Sequence, residues 1–330
     1  MVVEQRKITI KMFTQKLLKR WFTGRGAVAG LLLPTIIIMV ILSFMHKNFM
    51  TVTNQINIIR SVSVYTIAAI GMTFVIGVGG IDLSIGAALG MIVSVVGSVL
   101  ESGLHPLLAM VIGLILGTLI GLFNGLIITK LKVPPLITTI GMMVALRGAA
   151  QLYLGPVVHH GFPMMFQSLG RGFIGPIPNP VIFAVFSFAI GIVMLASTRL
   201  GKYALAIGGN REAARLAGVK VDFWETGVYM FGGFMVGLAS LVQMSRMDAA
   251  YAAFGEGLEL HVITTVILGG TLLTGGRANI IGTVIGVILI GVLENGLVLS
   301  GVHYFWQRVI LGLLLIFAVA LQAYRERTAK

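Results

Sequence analysis

Residues 199–225 read RLGKYALAIGGNREAARLAGVKVDFWE, and this polar stretch decides the fold through its contrast with what flanks it. It carries five of the 24 Lys and Arg of the chain. The segments on either side, 180–197 and 224–246, are apolar runs of the length needed to cross about 30 Å of hydrocarbon at ~1.5 Å per residue. A polar insert held between two such runs belongs to a polytopic membrane protein. On the cytoplasmic side, an insert of this kind is suited to being gripped by a soluble partner.

Composition agrees. Apolar residues make up 57% of the 330-residue chain and charged ones 11%, with a mean hydropathy of +0.99, whereas soluble domains average about a quarter charged. The pattern predicts an all-α integral membrane protein with ten spans: 27–45, 61–80, 84–101, 106–129, 134–154, 180–197, 224–246, 259–276, 279–300 and 304–323. With both termini in the cytoplasm, 18 of the 24 Lys and Arg fall on the inner side, the bias that sets orientation in short loops. The sequence pI of about 10.3 therefore points to membrane edges and not to nucleic acid. The absence of cysteine removes disulfides and thiolate metal sites.

Residues 1–25 form a basic N-terminal segment ahead of a transmembrane domain, 26–330. The segment reads either as an interfacial helix, with Phe13, Leu17, Leu18, Trp21 and Phe22 toward lipid, or as a flexible basic tail. The apolar run after it is too long for a signal peptide and lacks a small-residue cleavage site.

Two outward connections depart from short turns. Residues 155–179 hold four of the nine prolines and five glycines, too punctuated to predict a helix; His159 and His160 there lack the further ligands that a metal site needs. Residues 247–260 carry Asp248, Glu256 and Glu259 and read as an acidic outward stretch.

Inside the spans, GVGGIDLSIG at 77–86 interrupts an apolar run. Glycine at this density permits turns closed to other residues, so the helix is expected to break. Asp82 then serves either as a cap for the next helix or as part of a pathway lined by broken helices. LGGTLLTGGR at 268–277, followed by a helix restart at 281–286, has the same look and hints at internal duplication. Gly113, Gly117, Gly121 and Gly125 stand four apart, a ridge for close helix packing or for sliding. No phosphate-binding loop, dinucleotide fingerprint, zinc-protease motif or nucleophile elbow is present, so neither ATP binding nor hydrolytic chemistry is expected of this chain. The few ionisable residues in the spans, Asp82, Arg147, Glu294 and Arg308, argue against an ion relay.

Within the island, Asn210 is placed to cap a short helix that runs through Glu212 and ends at Gly218. The surrounding loops tie that helix to the sixth and seventh spans, and its alternative is to rest on lipid. The order Glu212-Ala213-Ala214 with Gly218 following resembles the E-A-A coupling loop of bacterial ABC importer permeases. Four blocks carry a narrower resemblance, to the ribose, xylose and galactose type of permease: GGIDLSIGAALG at 79–90, NGLIITKLKVPPLITTIGMMVALRG at 124–148, TRLGKYALAIGGNREAARLAGVKV at 198–221 and VILGGTLLTGGRANIIGTVIGVILIGVLENGL at 266–297. The fourth departs from many relatives at 271–279, and 161–180 also resembles permeases for autoinducer-2.

The resemblance implies a multi-pass protein of the bacterial inner membrane. Its partners would be a second permease subunit, identical or not, a cytoplasmic ATP-binding cassette subunit that carries ATP and Mg, and a periplasmic solute-binding protein. The chain itself would hold no cofactor. It implies coupling through Asn210, Glu212, Ala213, Ala214, Ala217 and Gly218 within 199–223. For a sugar-like solute, the polar path candidates are Asp82, Ser84, Asn124, Thr138, Thr139, Gln151, Thr264, Thr265 and Asn295, each alternatively a helix-to-helix hydrogen bond. An ion-coupled carrier and a passive channel are the rival classes.

Overall fold

The computed structural model describes residues 25–329; the basic segment 1–24 lies outside them. The first half contains α1 Arg25–Met45, α2 Val52–Gly77, α3 Ile85–Glu101, α4 Pro106–Lys130 and α5 Pro135–Leu154, then β1 His159–His160, α6 Met164–Arg171, β2 Phe173–Ile174 and β3 Ile177–Pro178. The second half contains α7 Asn179–Ser197, α8 Arg199–Gly209, α9 Arg211–Leu216, α10 Val221–Met247, β4 Ala249–Ala250, α11 Leu258–Leu268, α12 Ile280–Leu299 and α13 Tyr304–Ala329. Each of the ten expected spans overlaps a helix, the eighth, 259–276, being helical only to Leu268. Among the described residues seven helices are long and apolar enough to cross a membrane by length and composition, while α3 and α11 are shorter.

Local chemistry places the helix starts. Pro106, Pro135 and Pro180 stand in first turns, where a missing N–H costs nothing. Thr51, Thr198, Asn210 and Asn279 accept backbone N–H bonds as caps.

The deeply buried helices α2 and α10 form the centre. The glycine ridge of α4 faces α10, and a Cβ at Gly121 would overlap the Tyr229 carbonyl oxygen, while one at Gly125 would lie 2.8 Å from the Thr226 Cα. Gly233 and Gly237 of α10 answer from the other side. The ridge is thus a packing surface, in which small residues let backbones approach where lipid supplies no hydrophobic drive.

Two outward connections differ from their sequence reading. Residues 155–178 are ordered: α6 forms between Pro163 and Gly172, and its buried Phe166 packs below. Ser245 Oγ accepts from the Gly170 N–H at 2.7 Å and donates toward the Phe166 and Gln167 carbonyls at 2.7 and 2.9 Å. Pro163 and Gly172 bound this helix, while Gly170 within it lets its last turn approach the backbone of Arg246 in α10. The second difference is 247–260. A Cβ at Gly97 would lie 2.6 Å from Ala250 Cβ, one at Gly90 2.8 Å from the Ala252 and Phe254 oxygens, and one at Gly86 2.5 Å from the Gly255 oxygen. Residues 250–255 therefore run down a glycine groove on α3 for about 16 Å, given ~1.5 Å per residue. This re-entrant segment is a run of turns after β4; α11 starts at Leu258, where a span was expected, but ends at Leu268 before the second glycine interruption and so has only 11 residues. Non-helical backbone at such depth is tolerated because protein covers it. At the top, β1 pairs antiparallel with β4, and His159 contacts Glu101.

Candidate coupling site

The island folds into two helices, α8 and α9, where sequence reading had given α8 to a loop. Asn210 Oδ1 accepts from Ala213 N–H at 2.9 Å, and Gly218 has φ +83° with its N–H on the Arg215 carbonyl at 3.0 Å. α9 is thus closed at both ends by residues suited to those ends. Ala214 turns inward and is buried, while Glu212, Ala213, Ala217 and Gly218 are exposed. Leu216 is 88% exposed. Glu212 pairs with Arg215 at 2.7 Å on the same outer face, an exposed pair worth about 0.3–0.5 kcal/mol.

The inner side of the island is held by ion pairs. Arg211 Nη1 lies 2.7 Å from Glu225 Oε2 and its Nη2 3.6 Å from Asp222. Lys132 Nζ, from the turn between α4 and α5, donates to Asp222 at 3.0 and 3.1 Å. Glu225 is 3% exposed, so Arg211 is the cation that makes its burial tolerable. Arg211, Lys132, Asp222 and Glu225 were not picked out from sequence. The readable signal was Glu225 itself, a carboxylate at the mouth of an apolar span that needs a partner.

The end of α8 also meets both helix interruptions. The first, 78–84, separates α2 from α3; the second, 269–279, separates α11 from α12. Gly276 N–H donates to the Gly77 carbonyl at 2.9 Å. A Cβ at Gly208 would overlap that carbonyl and lie 2.6 Å from Gly276 N; one at Gly275 would lie 2.8 Å from Gly79 N and 2.9 Å from Gly208 Cα. Gly79, Gly275 and Gly276 have φ of +88°, +81° and +78°, where a side chain is strained. Three backbones touch there without side chains between them, so displacement of α8 acts on both interruptions.

Among the sequence-chosen path residues, Asp82, Ser84, Asn124 and Thr139 gather at the first interruption. The Asp82 carboxylate accepts from Ser84 N–H at 2.8 Å, Ser84 Oγ at 2.5 Å and Asn124 Nδ2 at 3.3 Å. Thr139 donates to the Ile81 carbonyl at 3.0 Å, and Thr138 is buried beside it. The Asp82 bonds have the form of a turn before α3. Thr264 and Thr265 bond back to Leu260 and Val262 of their own helix at 2.6 and 2.8 Å. Asn295 and Asn54 exchange two amide bonds at 2.8 and 3.0 Å, and Gln151 is exposed on α5. Four of the nine thus stand together at the first interruption, and the others are spread over α5, α11 and α12. The interior is also more ionisable than its sequence suggested: Glu225 and His261 are buried, Glu259 is partly buried, and Arg147 donates to the Phe254 carbonyl at 2.9 Å.

A family model described as "Branched-chain amino acid transport system / permease component" matches residues 54–319. The chain is 40% identical to the ribose import permease protein RbsC of Bacillus subtilis over 310 residues, 93% of this chain and 96% of that protein. It is 37% identical to the RbsC of Escherichia coli K12 over 91% of this chain and 94% of the relative. It is 33% identical to the galactose/methyl galactoside import permease protein MglC of the same strain over 91% and 95%. Among solved structures, none matches the chain.

Proposed function

This chain belongs to the branched-chain amino acid transport system / permease component family, and from that membership we propose that it is the permease subunit of an ABC importer for a monosaccharide. Relatives named for ribose and galactose import, matched over nine-tenths of the chain, favour a pentose or hexose over an amino acid; autoinducer-2 is a further solute to test. ATP and Mg are held by a separate cassette subunit at the inner face of a bacterial cytoplasmic membrane. A second permease subunit and a solute-binding protein complete the assembly.

One observation carries the mechanism. α9 presents Glu212, Ala213, Leu216 and Ala217 outward, while Arg211 anchors its root to Glu225 and Asp222. A partner that seats on the outer face and moves when it binds ATP pulls on α10 through that anchor and on both interruptions through Gly208. The cavity then exchanges outward for inward opening. Driving such a switch from 1:99 to 99:1 takes about 5.5 kcal/mol of differential binding, which a helix lying on lipid does not supply.

Glu259, His261 and Glu294 are the observation that favours an ion-coupled carrier. Reconstitution of the purified chain with and without its cassette subunit separates the readings. ATP-dependent uptake that needs both subunits is expected. Full uptake by this chain alone refutes the importer reading; it indicates a carrier if it follows a proton or sodium gradient and a channel if it does not.

A further inference from the structure

A cavity of about 210 Å³ opens between α2, α3, α10, α11, α12 and α13, on the side that the Lys and Arg bias assigns to the outside. Its wall carries a stacked pair, Tyr65 and His261, with ring centroids 3.7 Å apart and planes 14° from parallel. His261 is 2% exposed, and its Nδ1 lies 3.0 Å from Glu294 Oε1. With the proton on Nδ1, Nε2 is left as a buried acceptor, and it has no partner. Such an acceptor is left with its hydrogen-bonding capacity unmet. Glu294 has oxygens to spare, and Gln243 adds an amide to the lining. At the rim, Arg308 is already engaged, 3.2 Å from Glu256 and over the Tyr304 ring at 5.2 Å.

From this arrangement we propose that the cavity is the intramembrane resting place of a small neutral polyol, held by Glu294, His261, Tyr65 and Gln243. The inference rests on the importer reading and deepens it. Hydroxyl groups donate to the two Glu294 carboxylate oxygens, Gln243 both donates and accepts, and the Tyr65–His261 stack gives an apolar wall for the C–H face of a sugar ring. An anion is repelled by Glu294. A zwitterionic amino acid needs a free cation for its carboxylate, and Arg308 is committed to Glu256. At about 30 Å³ per water, the volume equals some seven waters, the scale of one sugar ring. Four polar contacts make a weak site, which suits a permease that receives its solute from a tighter-binding protein.

The absence of cysteine allows a direct test. Gln243→Cys is made in the full chain, produced in cells with its cassette subunit and binding protein. Modification by a membrane-impermeant methanethiosulfonate added outside is timed with and without D-ribose or D-galactose, and uptake of the same sugars is measured in the parent. With uptake present, modification should slow progressively as sugar is raised, reaching about tenfold at ten times the concentration that halves its rate, following 1 + [L]/Kd for the cavity itself. Uptake with unslowed modification refutes the site and leaves the importer reading standing. Absence of uptake of either sugar by the parent overturns the sugar reading and this inference with it. Tyr251→Cys, on the exposed rim of the same cavity, replaces Gln243→Cys if the latter fails to reach the membrane.

Discussion

Replacing Gly208 by alanine tests the junction where α8 meets both interruptions. The new methyl group would overlap the Gly77 carbonyl and stand 2.6 Å from Gly276 N and 3.0 Å from the Val78 carbonyl carbon, all of them backbone atoms that cannot rotate away. Overpacking of this kind costs about 1–3 kcal/mol. Separating the segments also strains the Gly276–Gly77 hydrogen bond, worth about 0.5–1.5 kcal/mol. Against this stands the roughly 0.5–1 kcal/mol that alanine gains over glycine in a helix, so the net is a loss centred on about 2 kcal/mol. The neighbouring substitution gives the opposite sign. A Cβ at Gly209 meets nothing closer than Gly276 Cα at 3.8 Å, so Gly209→Ala keeps the propensity gain without the clash. Thermal unfolding of both variants, followed by tryptophan fluorescence in one detergent, should place Gly208→Ala at least about 2 °C below the parent, at roughly 2–4 °C per kcal/mol. Gly209→Ala should lie at or above the parent. If Gly208→Ala melts no lower than Gly209→Ala, the backbones do not meet there.

Arg211→Ala should lower stability by about 3–5 kcal/mol, because Glu225 is left buried without its cation; adding Glu225→Leu should restore most of the loss, and a double-mutant cycle of melting temperatures that shows no coupling refutes the pair. Glu212→Ala and Leu216→Asp lie on the outer face of α9 and should leave stability within about 0.5 kcal/mol while co-purification of the cassette subunit falls; undiminished co-purification removes α9 as the grip. Ser245→Ala leaves the Gly170 N–H unmet, at a cost of about 1–3 kcal/mol, and should raise hydrogen exchange across 162–171; unchanged protection there means that α6 is held by other contacts.

What the sequence made legible was local. Asn210 and Gly218 announced the ends of α9 because capping depends on a residue and its near neighbours, and the glycine ridge of α4 announced close packing by its spacing alone. The ion pair between Arg211 and Glu225 was hidden because its partners are joined by a turn whose path no pattern fixes. The meeting of Gly77, Gly208 and Gly276 brings together positions far apart in the chain. Residues 250–255 misled for a different reason: set between Asp248, Glu256 and Glu259, they read as part of an acidic outward stretch, and only the groove made by Gly86, Gly90 and Gly97 gives them a place in the interior. The cavity escaped notice because Tyr65, His261 and Glu294 sit on three different helices, each within an otherwise apolar run.

That groove also bears on biogenesis. A segment of turns whose peptide groups lack helical partners cannot enter hydrocarbon unaided, and the 11 residues of α11 reach only about 16 Å at ~1.5 Å per residue. The translocon therefore has no complete span to release at this point, and 250–268 must be drawn in after α3 is seated. Gly90→Val, which fills the groove, should leave this segment open to protease from outside in newly made chains; a segment as protected as in the parent would mean that it enters the bilayer by some other order of events.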